Sequence, residues 1–492
     1  MHVAEDEIEL KFLCEPADLA AVLAAAPEGE TESKDLVSTY FDTPAEDLRK
    51  QRISLRIREG GDKRVQTLKR GDGFSREEHE AALEGETLDL AMPALKTALP
   101  TAARRKALGP RFTVRVVRRQ RTFEFGGSRI EIAVDEGEVQ AGDRVRRVSE
   151  VELELKGGGC DAMFDLARQL SKTAPLYLSF DGKASQGYGL ADGTDRAPRR
   201  HDKAPLARGL TTAQAFQAIA RNALVQIAAN GVVLREADSV EAVHQLRVAV
   251  RRLRSAISTF KSVTAGEPVE AIKAELKWLA RACDEARDLD VFALDNDAFA
   301  RPGLDLDALA PLVEAARQRG HAKACAAVAS GRFRDLVLET TAWVETGAWL
   351  AAHGKAARRA REAPVQGFAA KALTHRRKSL LKLGRGLETI SDTDRHEARI
   401  AAKKLRYAAE AFAPLFDTDT KPFIKTLKAL QEHLGALNDG VVAADLVAQL
   451  SLKGPALAAA RRLLAARAAQ KPETLKAAGK AMDSLAEAPV FW

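Results

Sequence analysis

Glu7, Glu9 and Lys11 recur at every second position in Glu7-Ile8-Glu9-Leu10-Lys11. In a β-strand alternate side chains share a face, so this stretch sets two carboxylates and an ammonium opposite Ile8, Leu10 and Phe12. Such a row can hold a metal ion and an anion together. Any half-solvated strand shows the same alternation, so the stretch alone does not decide between the two.

The following 180 or so residues repeat the pattern. Strands are expected over 36–42, 53–59, 64–70, 111–125, 128–139, 150–156 and 176–180, and short helices over 17–26 and 161–171. Gly60-Gly61-Asp62 and Gly126-Gly127 read as hairpin turns. The segment carrying Gly71, Gly73, Ser75, Arg76 and Glu78 reads as a loop. Arg56 and Arg58 share a face; so do Val65, Thr67 and Lys69; so do Arg115, Arg119 and Arg121. Glu131 and Asp135 share parity, and Glu150, Glu152, Glu154 and Lys156 line one side of the last long strand. On an outer surface these rows are merely solvated. If the sheet closes with them inside, each charge must be paired, hydrated or bound to a ligand. Carboxylate clusters suit Mg²⁺ or Mn²⁺, and Arg and Lys suit phosphate oxygens. Together they describe a site for a metal-bound polyphosphate.

The opening motif, the Tyr40-Phe41-Asp42-Thr43-Pro44 box, Arg56/Arg58, Lys69 and Glu152/Glu154 resemble the CYTH family, the triphosphate tunnel metalloenzymes, in order over roughly residues 1–190. The resemblance implies an α+β domain built on an eight-stranded antiparallel β tunnel that hydrolyses a triphosphate with Mg²⁺ or Mn²⁺. It implies metal ligation by Glu7, Glu9, Glu152 and Glu154, and a catalytic set of Lys11, Glu7 and Glu9. Phosphate contacts would come from Lys11, Arg56, Arg58, Lys69, Arg119, Arg121 and Lys183; Arg115 and Arg118 compete for the register of the Arg119/Arg121 pair. Inorganic tripolyphosphate is the leading substrate. A nucleoside or thiamine triphosphate, adenylate cyclase chemistry, or a non-catalytic polyphosphate scaffold are the alternatives.

Composition narrows the field. No stretch is long and apolar enough to span a membrane, and the acidic N-terminus has no signal-peptide core. Four scattered cysteines give neither a zinc site nor a disulfide framework, which fits a reducing cytoplasm. No P-loop and no Ser/His/Asp or Cys/His constellation is present. Residues 1–200 hold 32 Lys and Arg against 36 Asp and Glu, whereas 201–492 hold 44 against 33. The C-terminal part is therefore the one to attract a polyanion. With 5% aromatics and no basic patch interleaved with them, nucleic acid is a poor fit as a partner.

Domains are expected over 1–192 and 209–492, with a Pro- and Arg-containing linker over 193–208. The second domain reads as all-α, with repeats at about 209–360 and 366–490. His244-Gln245-Leu246-Arg247-Val248-Ala249-Val250-Arg251-Arg252-Leu253-Arg254 aligns with His396-Glu397-Ala398-Arg399-Ile400-Ala401-Ala402-Lys403-Lys404-Leu405-Arg406, and Phe260 with Phe412. Helical spacing puts His244, Arg247, Arg251 and Arg254 on one face, and His396, Arg399, Lys403 and Arg406 on its counterpart. Two such faces can meet across a pseudo-twofold axis as one positive groove. His375-Arg376-Arg377-Lys378 is a secondary basic cluster, and Asp288 and Asp439 read as helix caps. These residues resemble the CHAD family, which implies two related helical bundles that bind inorganic polyphosphate. The binding set would be His244, Arg247, Arg251, Arg252, Arg254, His396, Arg399, Lys403, Lys404 and Arg406. Oligomeric state is left open.

Overall fold

Alternating apolar and charged residues dominate the first part of the chain, and there the backbone is a sheet. The computed structural model describes residues 4–71, 74–202, 204–299 and 306–492, with side chains described except at 4–7, 75–76 and 294–299. Two compact units result: one contains the residues up to Pro198 with 337–346, the other 199–336 with 347–492.

The first unit holds β1 (Ala4–Leu13), β2 (Glu32–Asp42), β3 (Ile53–Gly60), β4 (Lys63–Arg70), β5 (Ser75–Leu83), β6 (Gly109–Phe125), β7 (Ser128–Ala141), β8 (Arg144–Gly157) and β9 (Tyr177–Ser179). Their order is β5-β4-β3-β2-β6-β7-β8-β1-β9, and β5 also pairs with β1. The first eight strands thus close into an antiparallel ring, with β9 added beside β1. The ring depends on β5, which corrects the expected loop. Its sequence, Ser-Arg-Glu-Glu-His-Glu-Ala-Ala-Leu, has no β-branched residue. It is a strand because β4 and β1 hydrogen-bond both its edges, not through its own propensity.

Apolar faces turn outward under helices. Leu19, Val22 and Leu23 of the Leu19–Ala25 helix are buried, as are Met163, Phe164, Leu166 and Leu170 of the Cys160–Leu170 helix. Leu95 and Leu99 cover Ile53, Leu55 and Leu68. One end of the ring interior is apolar as well. There the Lys183–Asp192 helix sets Tyr188 and Leu190 against Phe112, Val114, Val139 and Val148. Phe112 stacks on Tyr40 at 4.7 Å and meets Tyr188 edge-on at 5.1 Å. Tyr188 donates its hydroxyl to Asp42 Oδ2 at 2.8 Å. Asp42 also accepts the backbone N–H groups of Thr43, Leu48 and Arg49 at 2.7–3.0 Å, so it fixes the turn after β2.

The second unit is helical. The Val240–Thr259 and Asp392–Phe412 helices, aligned by the repeat, are each capped by a serine at the equivalent position, Ser239 and Ser391. Phe260 and Phe412 meet at 5.8 Å, and Phe216 and Phe368, another pair related by the repeat, pack around them. The Val269–Ala282 and Asp284–Phe299 helices have as counterpart the single Lys421–Gln449 helix. Asp288 and Asp439 lie inside these helices and cap neither, because both helices run on through the expected turns.

A Cβ at Gly187 would sit 2.1 Å from the Phe112 ring. Gly187→Ala is therefore expected to destabilise the first unit by about 1–3 kcal/mol through overpacking. Denaturant unfolding followed at the sheet signal measures this, and an unchanged midpoint would contradict a filled ring end.

Candidate functional site

Strand register decides which charges meet. Inside the ring lies a cavity of about 350 Å³ lined by charged side chains of every strand from β1 to β8. One wall is cationic: Arg56 and Arg58 of β3 and Lys69 of β4, with Lys69 Nζ 3.2 Å from Glu78 of β5. Arg56 donates through Nη1 to Tyr40 Oη at 3.3 Å. Its Nε and Nη2 are buried and make no hydrogen bond to the described residues. Burial opposes the charge on Arg56, but Tyr40 and Glu78 more than offset it, so its pKa is raised.

The opposite wall is acidic. Glu131 of β7 lies opposite Glu154 of β8, which lies opposite Glu9 of β1. Further along, Asp135 faces Glu150, and Glu152 faces Lys11. Glu152 is the hub. It binds Lys11, Arg118 and, at 2.8 Å, Lys183. Lys183 Nζ also lies 2.7 Å from Asp135 and 2.8 Å from Glu150. Arg118 grips Asp135 with Nε and Nη2 at 2.7 and 2.6 Å. Glu150 accepts a further bond from Gln186 at 2.5 Å. Burial pushes Glu152 toward the neutral acid, yet Lys11, Lys183 and Arg118 hold it well below the usual carboxylate range. Burial likewise opposes the charge on Lys11, and Glu152 and Glu9 outweigh it, so its pKa is raised and the ammonium stays charged.

Glu9, Lys11, Arg56, Arg58, Lys69, Glu152, Glu154 and Lys183 all line the cavity. Glu7 lies on β1, but its side chain is outside the described residues. Arg119 and Arg121 do not line it. They share parity with exposed Val117 on the outer face, and Arg121 donates to the carbonyls of Leu23 and Ala26 at the end of the Leu19–Ala25 helix. Arg118 is the inward arginine of β6. Counting charged residues misses it because Phe112, Val114 and Val116, of the same parity, face the plugged interior. The signal was the run of apolar even positions, which marks a face but does not say which side of the sheet it is on. Asp135 and Glu150 also join the centre without having been given roles.

The carboxylate oxygens of Asp135, Glu150 and Glu152 lie within 4.8 Å of one another, hard donors suited to a divalent cation. Lys11, Lys183 and Arg118 already share them. Glu9, Glu131 and Glu154 form a second oxygen-rich row, with Lys11 3.1 Å from Glu9 and Lys156 2.5 Å from Glu154. Both rows fit an oxygen-ligated metal.

In the helical unit the two basic helices do face each other. Arg251 Nε reaches Tyr407 Oη at 3.3 Å. Arg247, Arg251, Arg399 and Lys403 crowd together; burial first, then Arg399 and Arg251, brings the Lys403 ammonium down to about 7. Asp284 pairs with Arg247, and Asp439 partly offsets the field at Arg399 and Lys403. Burial and the neighbouring Arg287 lower His244 to about 4, so it is neutral at neutral pH. His396 Nδ1 lies 2.8 Å from Asn438 Oδ1, the repeat counterpart of Arg287. The other expected binders sit elsewhere. Arg252 donates to Glu410 at 2.6 Å and lies over the Tyr407 ring, and Arg406 lies 3.7 Å from Glu410. Lys404 turns to a different pocket beside Arg376, with Arg254 close enough to act on its charge.

Arg118→Ala leaves Asp135 and Glu152 short of a partner inside the ring and is expected to cost about 3–5 kcal/mol of stability. Arg121→Ala removes an outer cap and should cost about 1 kcal/mol. Equal losses in urea unfolding would contradict the inward assignment.

The CYTH domain model matches residues 5–188 and the CHAD domain model residues 218–448. An inorganic triphosphatase of Haemophilus influenzae is 32% identical over 201 residues, 38% of this chain and 55% of that protein. The match thus spans about half the length of that relative. The crystal structure of the CHAD domain from the plant Ricinus communis is 32% identical with a TM-score of 0.52, over 58% of this chain and 96% of that one. Among the described residues no helix is long and apolar enough to cross a membrane.

Proposed function

This chain carries a CYTH domain followed by a CHAD domain and belongs to both families; from that premise we propose that it hydrolyses inorganic tripolyphosphate to pyrophosphate and phosphate in the ring cavity, with the helical unit binding inorganic polyphosphate. The observation that carries the reading is the opposition of two walls in one cavity. Arg56 keeps two buried donor nitrogens without a hydrogen-bond partner among the described residues, across from rows of carboxylates. The similarity to an inorganic triphosphatase supports the same substrate.

Arg56, Arg58 and Lys69 bind phosphoryl oxygens, Arg56 and Arg58 through forked donors. Lys11, held charged by Glu152 and Glu9, and Lys183, held charged by Asp135, Glu150 and Glu152, add positive charge where negative charge spreads over the transferred group in a loose transition state. Glu9, Glu152 and Glu154, with Glu7 two residues earlier on β1, are the residues that would hold Mg²⁺ or Mn²⁺. When bound, such an ion neutralises phosphate charge and acidifies a coordinated water. The carboxylates also orient water by accepting its hydrogen bonds, and the apolar plug keeps bulk solvent from that end.

In the helical unit, Arg247, Arg251, Arg399 and Lys403 present the polyanion surface, with the neutral His244, and His396, as hydrogen-bond partners. Tethering polyphosphate there raises its local concentration around the enzyme.

Phosphate release from tripolyphosphate with Mg²⁺ or Mn²⁺ tests the first claim. Glu152→Gln is expected to lower kcat by about a hundredfold or more, since it removes a metal donor and unbalances three cations. If the wild type releases no phosphate from tripolyphosphate, ATP or thiamine triphosphate, the catalytic reading is wrong and a binding scaffold replaces it.

Lys403 provides the test of the second. Its folded-state pKa is depressed to about 7, so it gains a proton as pH falls through that value. Polyphosphate affinity should therefore rise by about tenfold from pH 8 to pH 6, the worth of one charge-assisted contact, and fall steeply with added salt. The pH dependence should vanish in Lys403→Met. A salt-insensitive affinity would contradict the assignment.

A further inference from the structure

The internal repeat maps Arg252 onto Lys404 and Ser258 onto Glu410. The ion pair between Arg252 and Glu410, at 2.6 Å, therefore has Lys404 and Ser258 as its counterpart. One half of the unit carries a neutralised cation, and in the other the carboxylate is replaced by a hydroxyl. The surroundings diverge in the same sense. Around Arg252, His201 and Ala204 help enclose a cavity of only about 30 Å³. Around Lys404 the space between the Val240–Thr259, Val365–Leu383 and Asp392–Phe412 helices is a pocket of about 520 Å³.

The open pocket is basic. Lys261, His375, Arg376 and Lys404 line it, and Glu397 is the one carboxylate among its described lining residues. Arg376 is half-buried and donates to Thr259 Oγ1 at 2.5 Å. Among the described residues, Lys261, Arg376, Lys404 and the nearby Arg254 make no ion pair with any carboxylate. Burial, then Arg376 and Arg254, lower the pKa of Lys404. Arg376 is lowered by burial. Such a cluster is held against its own repulsion by the packing of three helices, and a multiply charged anion relieves the cost. Hydroxyls of Ser258 and Ser379 line the same space, while Thr259 donates its own hydroxyl to the Ser255 carbonyl at 2.6 Å and so serves to hold Arg376. A forked guanidinium, an ammonium and two hydroxyls together suit a tetrahedral oxyanion better than a planar carboxylate.

We propose that the pocket around Arg376 and Lys404 is a second anion site of the helical unit, separate from the cluster at Arg251 and Arg399, that binds a phosphoryl oxyanion. The proposal does not depend on hydrolysis in the ring or on binding at Arg251. Its ligand is either a free small anion or a length of a phosphate chain crossing the pocket.

Titration calorimetry of the full chain in metal-free buffer tests it, with pyrophosphate and long-chain polyphosphate as probes. Ser258→Glu restores the counter-ion found in the other half of the unit and is expected to weaken one class of pyrophosphate site at least tenfold. Arg376→Gln with Lys404→Gln should do the same. Arg251→Gln with Arg399→Gln should leave that class intact. Loss for pyrophosphate assigns a free anion, and loss for the long chain alone assigns a chain crossing the pocket; both support the site. If both probes bind Ser258→Glu and the Arg376/Lys404 variant as they bind the wild type, the site does not exist. Circular dichroism melts identify any variant that fails to fold, and the other variant then decides.

Discussion

The first unit depends on Glu152. A ring of strands with charged residues inside is stable only if those charges balance. Glu152 does most of the balancing, holding Lys11, Lys183 and Arg118 around one buried carboxylate, while Asp135 and Glu150 take the remaining contacts. This network joins β1, β6, β7 and β8 to the first residue of the Lys183–Asp192 helix. The helix that closes the ring is thus pinned by the same charges that line the cavity. Across from it, Arg56 keeps donor atoms without a partner among the described residues, so the surplus of positive charge falls on the side where an anion can use it.

The helical unit solves a related problem by a different route. Duplication puts two basic helices face to face, and their aromatic counterparts Phe260 and Phe412 seal the seam between them. Burying cations beside one another is costly, and the pKa of Lys403, depressed first by burial and then by Arg399 and Arg251, reports that cost. Acidic residues on neighbouring helices relieve it unequally: among the described residues, Asp284 pairs with Arg247 and Glu410 with Arg252, but none pairs with Lys404. Two halves with one ancestral pattern have thus come to carry different charge balances.

Much of this was legible in the sequence. Period-two alternation located β1, β3, β4, β7 and β8, and it put Glu9, Lys11, Arg56, Lys69 and Glu152 on the faces that line the cavity. The repeat located the two basic helices. Three features were not legible. β5 has no strand signature because its neighbours impose its conformation. Arg118 entered only as a competitor for the register of Arg119 and Arg121, because β6 turns apolar residues inward at its plugged end, which inverts the rule that charged faces point into the ring. Asp288 and Asp439 were read as caps, although a turn signal in sequence does not stop a helix that has packing on both sides. In each case long-range packing overrode a local pattern.

The helix seated in the ring end makes the cavity a blind alley. Tyr188, Leu190 and Phe112 stop one end with rings and aliphatic groups that offer a phosphate no hydrogen bonds. A linear anion that enters must therefore go in end first, and its advance stops where the polar lining gives way to the apolar stopper. The position of the charged walls along that depth then works as a ruler. On the proposed hydrolysis, it would select which linkage, counted from the leading end, comes to rest between the arginines and the carboxylates, whatever the length of chain left outside.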